Sequence, residues 1–114
     1  MELPTVVHLK RSKGKIVDCD IYIGRAMNMG GWRLSRSKWM NPFKITPDSS
    51  REKVCEDYEK YIRSKPELME SLKELSGKKL GCWCKPSLCH GDILIKLFRE
   101  KLISHVPVGN ITIQ

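Results

Sequence analysis

Lys79-Leu80-Gly81-Cys82-Trp83-Cys84-Lys85-Pro86-Ser87-Leu88-Cys89-His90-Gly91-Asp92-Ile93-Leu94 reads as a strand, a turn and the start of a helix. Side chains alternate faces along a strand, so Leu80, Cys82 and Cys84 share one face. Lys85-Pro86 turns the chain. Ser87 is a helix-capping residue type, and Leu94, Leu97, Phe98 and Leu102 recur beyond it at helical spacing. The pattern predicts a helix from about Ser87, with Cys89 and His90 in its first turn and Asp92 just after. A strand feeding a helix through so short a loop puts the helix N-terminus at the carboxyl edge of a sheet. Open α/β sheets bind their ligands at that edge.

The flanking sequence supplies the other elements. Upstream, Ser49-Ser50-Arg51-Glu52 opens a helix in the manner of a capping box. Val54, Tyr58, Tyr61 and Ile62 carry that helix to about Ser64. Pro66 suits the first turn of a second helix with an apolar stripe of Leu68, Leu72 and Leu75, stopped at Gly77. Residues 5–9 and 20–24 are apolar, β-branched runs and read as strands. Residues 11–15 read as a polar turn, followed by a short pairing segment at Ile16-Val17. Residues 24–48 break the pattern with glycines, prolines and aromatics, and a loop of that length is usually functional or disordered. The expected architecture is a single α/β domain over residues 1–104. It has a small, mainly parallel sheet of three to four strands flanked by about three helices. Residues 105–114 form a tail, read either as an added edge strand or as a mobile end.

Composition limits the function classes. A chain of 114 residues suits one domain with one core. No apolar run approaches the roughly 18 residues of a membrane span, and the N-terminus lacks a secretory pattern. The expected location is the cytoplasm, or the host cytoplasm for a viral gene. Five cysteines, an odd number without a signal, argue against a disulfide framework. The net charge is +8, and residues 1–50 hold nine Lys/Arg against four Asp/Glu. Such a field favours polyanions or phosphorylated ligands, and a nucleotide or nucleic acid is the expected partner, with no membrane. It also suits a merely well-solvated surface.

The Cys/His cluster admits three chemistries. A cysteine at a helix N-terminus can have its thiol pKa lowered. Cys89 is then a nucleophile, His90 the acid or base, and Asp92 its partner. Alternatively Cys82, Cys84, Cys89 and His90 are ligands of zinc type. Their spacing is compact, and residues two apart on a strand converge poorly on one ion. Three ligands from Cys84, Cys89 and His90 are easier to build. The third reading is structural, with Cys82 in the core and His90 satisfying a helix end. In the long loop, Arg25 lies at the carboxyl edge and suits a phosphate or carboxylate. Arg33, Arg36 and Lys38 alternate with Trp32 and Trp39, as a stacking surface for bases requires. Packing of both tryptophans onto the domain is the favoured alternative. The Asn41 amide either sets the turn before Pro42 or reads a base edge.

Three stretches in order resemble one family: Asp20-Ile21-Tyr22-Ile23-Gly24-Arg25, Ser37-Lys38-Trp39-Met40-Asn41-Pro42-Phe43, and Gly77-Lys78-Lys79-Leu80-Gly81-Cys82-Trp83-Cys84 with Cys89-His90-Gly91-Asp92-Ile93-Leu94. They are similar to the domain-of-unknown-function family 4326 of bacteria, phages and large viruses, over roughly residues 5–102. The resemblance implies that Arg25, Trp39, Asn41, Cys82, Cys84, Cys89, His90 and Asp92 belong to one shared site. The leading functional expectation is a small domain binding a nucleotide-like or nucleic-acid ligand at the Cys/His site, with a Cys-dependent enzyme left open. A zinc-stabilised, non-catalytic nucleic-acid-binding module and a protein–protein adaptor are the alternatives.

Overall fold

The computed structural model describes residues 2–13, 15–83 and 87–104. Among the described residues, five strands and three α-helices follow in the order β1 (Thr5–His8), β2 (Lys10–Ser12), β3 (Lys15–Val17), β4 (Ile21–Tyr22), α1 (Arg51–Arg63), α2 (Pro66–Ser71), β5 (Lys79–Cys82) and α3 (His90–Ser104). The fold is α/β. Among the described residues no helix is long and apolar enough to cross a membrane.

Strand β5 lies at the centre of a three-stranded sheet, with β1 and β4 on either side, both parallel to it. The register sets Val6 and Ile21 beside Leu80 on one face. Asp20 and Ile23 extend the β4 pairing with backbone bonds to Lys79 O and Gly81 O. Gly81 is required where it stands. A Cβ there would meet Cys19 Sγ at 2.5 Å and Leu9 Cδ1 at 2.6 Å, so the missing side chain makes room for both to pack on the strand. The pairing segment expected at Ile16-Val17 is part of an antiparallel hairpin of β2 with β3, in which Ile16 faces Arg11 and Val17 faces Lys10. Most of its side chains are exposed. Strand β2 therefore carries no alternating apolar signal for the sequence to display.

The helices cover the Val6–Leu80–Ile21 face. Tyr58, Ile62, Leu72, Leu75, Leu94 and Leu97 are fully buried there with Leu80 and Ile23. Each such side chain contributes roughly 1.5–3 kcal/mol by burial. Ser50 caps α1, its hydroxyl accepting from Lys53 N at 3.1 Å. After α2 the chain tightens into a 3-10 turn over Leu72–Leu75. Gly77 follows it with a φ of 68°, a left-handed turn that glycine adopts without strain.

Two boundaries around the Cys/His stretch differ from the expected ones. Strand β5 ends at Cys82, and Cys84 lies outside the described residues, as does the tail 105–114. Helix α3 begins at His90 rather than near Ser87. The cause is Asp92, whose carboxylate reaches back to accept from Cys89 N at 3.0 Å while its own N–H donates to Cys89 O. That reciprocal closure makes Cys89 the capping position and leaves Ser87 exposed before it. Gly91 brings the helix close to the sheet, since a Cβ there would meet Val6 at 2.8 Å and Ile23 at 3.0 Å.

Candidate functional site

The carboxyl ends of β4 and β5 and the start of α3 converge on one pocket of about 480 Å³. Its walls fall into three chemical groups. Cys82, Cys89 and His90 line it at the sheet edge, together with Cys55 from α1. Met27, Phe43, Ile45, Leu88 and Trp83 supply apolar and aromatic surface. Arg25, Lys44 and Arg51 supply positive charge.

His90 is the best-defined group. It is 9% exposed, and its Nε2 lies 2.6 Å from Ile23 O. A carbonyl can only accept, so Nε2 carries the ring proton and Nδ1 is the basic nitrogen. Burial holds the imidazole pKa below its ordinary value. The bond to Ile23 works against that shift, and the nearby Arg25 charge adds to it. The ring also packs edge-on against Tyr58, with centroids 5.0 Å apart.

Cys89 behaves differently from the expectation for a helix N-terminus. Its Sγ lies 3.1 Å from Cys82 Sγ, and this contact, followed by burial, pushes its pKa up. The Asp92 carboxylate pushes the same way. These effects run against the helix-end field and favour the thiol form. Cys82 and Cys89 are 1% and 2% exposed, so both combine core burial with a place on the pocket wall.

Arg25 and Asn41 act together. Arg25 Nη2 donates to Asn41 O at 2.7 Å and to Phe43 O at 3.4 Å. Asn41 Oδ1 accepts from Phe43 N, and its Nδ2 donates to Val54 O in α1. The two side chains thus pin residues 41–43 between the sheet edge and α1, which sets the apolar wall of the pocket. Tyr22 performs a similar task. Its hydroxyl donates to Arg25 O and accepts from Trp83 Nε1 at 3.0 Å, holding the indole at the rim.

The remaining expected site residues are placed as follows. Trp39 is 2% exposed and belongs to the core, with its backbone carbonyl accepting from Tyr58 OH at 2.6 Å. It is packed where a stacking residue would be open. Trp32 stands edge-to-face with Trp83 at 4.9 Å, with the Arg11 guanidinium 4.6 Å from its centroid. Asp92 caps α3 through Cys89 N. Cys84 lies outside the described residues. Among those described, no three His, Cys, Asp or Glu side chains are grouped to hold a metal ion.

Sequence reasoning did not single out Lys44 or Arg51. Arg51 opens α1 and donates from Nη1 to Leu88 O at 3.1 Å, closing the pocket between the start of α1 and the approach to α3. The contact spans 37 positions in sequence, and no local pattern encodes it. For Lys44 the available signal is its place beside Phe43 in the long loop.

A small parallel sheet whose carboxyl edge meets a buried His, a pair of thiols and a basic rim around one pocket defines a small α/β domain. Residues 7–100 match the family model named domain of unknown function (DUF4326), and the chain belongs to that family. An uncharacterised protein of Acanthamoeba polyphaga mimivirus is 47% identical over 108 residues, covering 87% of this chain and 82% of its own. No solved structure matches.

Proposed function

We propose that the pocket binds a nucleotide-like ligand. The base would lie against the Met27, Phe43 and Ile45 wall, and the phosphate would lie at the Arg25, Lys44 and Arg51 edge. One observation carries this reading: a single pocket of about 480 Å³ joins aromatic surface, guanidinium and ammonium groups, and a sheet's carboxyl edge. Its volume falls within the range of roughly 300–1,000 Å³ typical of small-molecule sites. The +8 net charge would draw in an anion from solution. Arg25 is already committed to backbone carbonyls, so its charge contributes mainly as field. Lys44 is the cation assigned to direct phosphate contact.

The chemistry favours binding ahead of nucleophilic attack. A protonated Cys89 thiol is a weak nucleophile. A neutral His90 with Nε2 fixed on Ile23 O leaves Nδ1 to accept a hydrogen bond from a ligand hydroxyl or ring N–H. Nucleotides are abundant in the cytoplasm, whose reducing conditions also suit the thiols of this site.

Titration calorimetry of the full chain with AMP, ADP and ATP and their guanine counterparts tests the reading. The expected result is saturable binding that weakens as salt rises from about 50 to 200 mM. Lys44→Ala should weaken it about tenfold, the equivalent of roughly 1.4 kcal/mol for one charge-assisted contact. No saturable binding of any of the six at millimolar concentration, or an affinity unchanged by Lys44→Ala, would contradict it.

A further inference from the structure

The Cys82 and Cys89 sulfurs approach to 3.1 Å, and the proposed ligand chemistry makes no use of the pair. We propose that Cys82 and Cys89 are a dithiol that a hydroperoxide closes to a disulfide, tying the end of β5 to the cap of α3.

The fold itself creates this approach. Cys82 is the last residue of β5, and Cys89 is the residue that Asp92 fixes at the start of α3. Their sulfurs are 3.1 Å apart, about 1 Å more than the ~2.05 Å of a bonded pair. Strand and helix are held independently, β5 by pairing on both sides and α3 by Gly91 packing on Val6 and Ile23. Closure therefore asks for side-chain rotation and little backbone movement. Two thiols used only as core filling would be sealed from solvent species. These two line the same pocket and so can meet a small oxidant.

The step balances. One sulfur, as its thiolate, attacks the distal peroxide oxygen; the O–O bond breaks, and the alkoxide half leaves as the alcohol (or water) after taking the thiol proton. The resulting sulfenic acid is attacked by the second sulfur. The S–O bond breaks, and hydroxide leaves as water with the second thiol proton. Two thiols and one hydroperoxide give one disulfide, one alcohol and one water. The thiols lose two electrons and the peroxide gains them. Because burial and mutual contact keep Cys89 protonated, the first attack is slow for a thiol near neutral pH. The couple thus responds to sustained oxidant and not to brief exposure. None of this depends on the nucleotide reading.

The experiment treats the reduced full chain with hydrogen peroxide, blocks remaining thiols with iodoacetamide, digests with trypsin and weighs the fragment of residues 80–96. That fragment holds Cys82, Cys84 and Cys89, since the Lys85-Pro86 bond resists trypsin. The expected product has lost two hydrogens and carries one alkyl group, placed on Cys84 by fragmentation, and dithiothreitol restores three alkyl groups. Cys84→Ser should close as readily as the parent, and Cys82→Ala should not close. Three alkylated cysteines after peroxide in the parent chain, or a disulfide that includes Cys84 in place of either partner, would overturn the assignment. The parent measurement alone decides the matter if Cys82→Ala does not fold.

Discussion

The helical layer and the long loop are held by different means. The helices bury Ile62, Leu72, Leu75, Leu94 and Leu97 against the sheet, and many contacts share the load. The loop over residues 24–48 crosses the sheet edge on a few directed bonds: Arg25 to Asn41 O, Asn41 to Val54 O, and Tyr58 to Trp39 O. The first arrangement tolerates small errors and supplies stability. The second is specific, and it shapes the pocket. Substitutions in the two regions should therefore separate stability from ligand affinity.

The largest effect belongs to the helical layer. Leu97→Ala removes a fully buried side chain and should cost about 2–5 kcal/mol in urea unfolding. The protein that remains folded should bind nucleotide as the parent does. A large loss of affinity in that folded fraction would erase the contrast between the regions.

Arg25→Ala should come next. It leaves the Asn41 and Phe43 carbonyls without their guanidinium donor, at about 1–3 kcal/mol. Its effect on nucleotide affinity should be larger than that of Leu97→Ala, because the Phe43 wall loses its anchor. Equal affinity for parent and variant would mean that the loop does not shape the binding site.

The smallest effect is a pH dependence. His90 is held below its ordinary pKa by burial, so the unfolded chain binds a proton more readily than the folded one. Stability contributed by neutral His90 is complete above the ordinary value of about 6.5 and declines as pH falls below it. His90→Gln keeps a donor for Ile23 O but does not titrate. Its unfolding free energy should change less between pH 7 and 5 than that of the parent, as followed by circular dichroism. Matching slopes would remove His90 from the buried, neutral role.

The two regions also differed in how far the sequence disclosed them. Helix α1 was legible because Val54, Tyr58 and Ile62 repeat at helical spacing, and it runs over Arg51–Arg63 as that spacing implies. Strand β4 was legible from its β-branched run, although only Ile21 and Tyr22 make the ladder and Asp20 and Ile23 flank it. The start of α3 was misplaced because a serine is a good cap in isolation. A carboxylate three residues beyond Cys89 wins by satisfying its backbone N–H. Of the β2–β3 hairpin only the Ile16-Val17 side was legible, because β2 is wholly polar and exposed and carries no alternation. In the site, the grouping of Arg25 with Cys89 and His90 followed from strand ends and one helix start. The Asn41 amide does set the local turn, as one of its two readings had it, by accepting from Phe43 N. Its bond to Val54 O and the anchoring bonds of Arg25 were not legible, because those partners are backbone atoms 13 to 18 positions away. Backbone carbonyls carry no sequence identity to read.

The three tryptophan indoles offer a direct readout, since Trp83 lines the pocket, Trp39 is buried in the core, and Trp32 stacks toward the hairpin. In a nitrogen-15 NMR titration, ADP should produce a saturable shift of the Trp83 indole, with backbone shifts at Lys44, Arg51 and His90 and a still Trp39. A saturable shift centred on the Lys10–Val17 hairpin with Trp83 unmoved would contradict binding in the pocket.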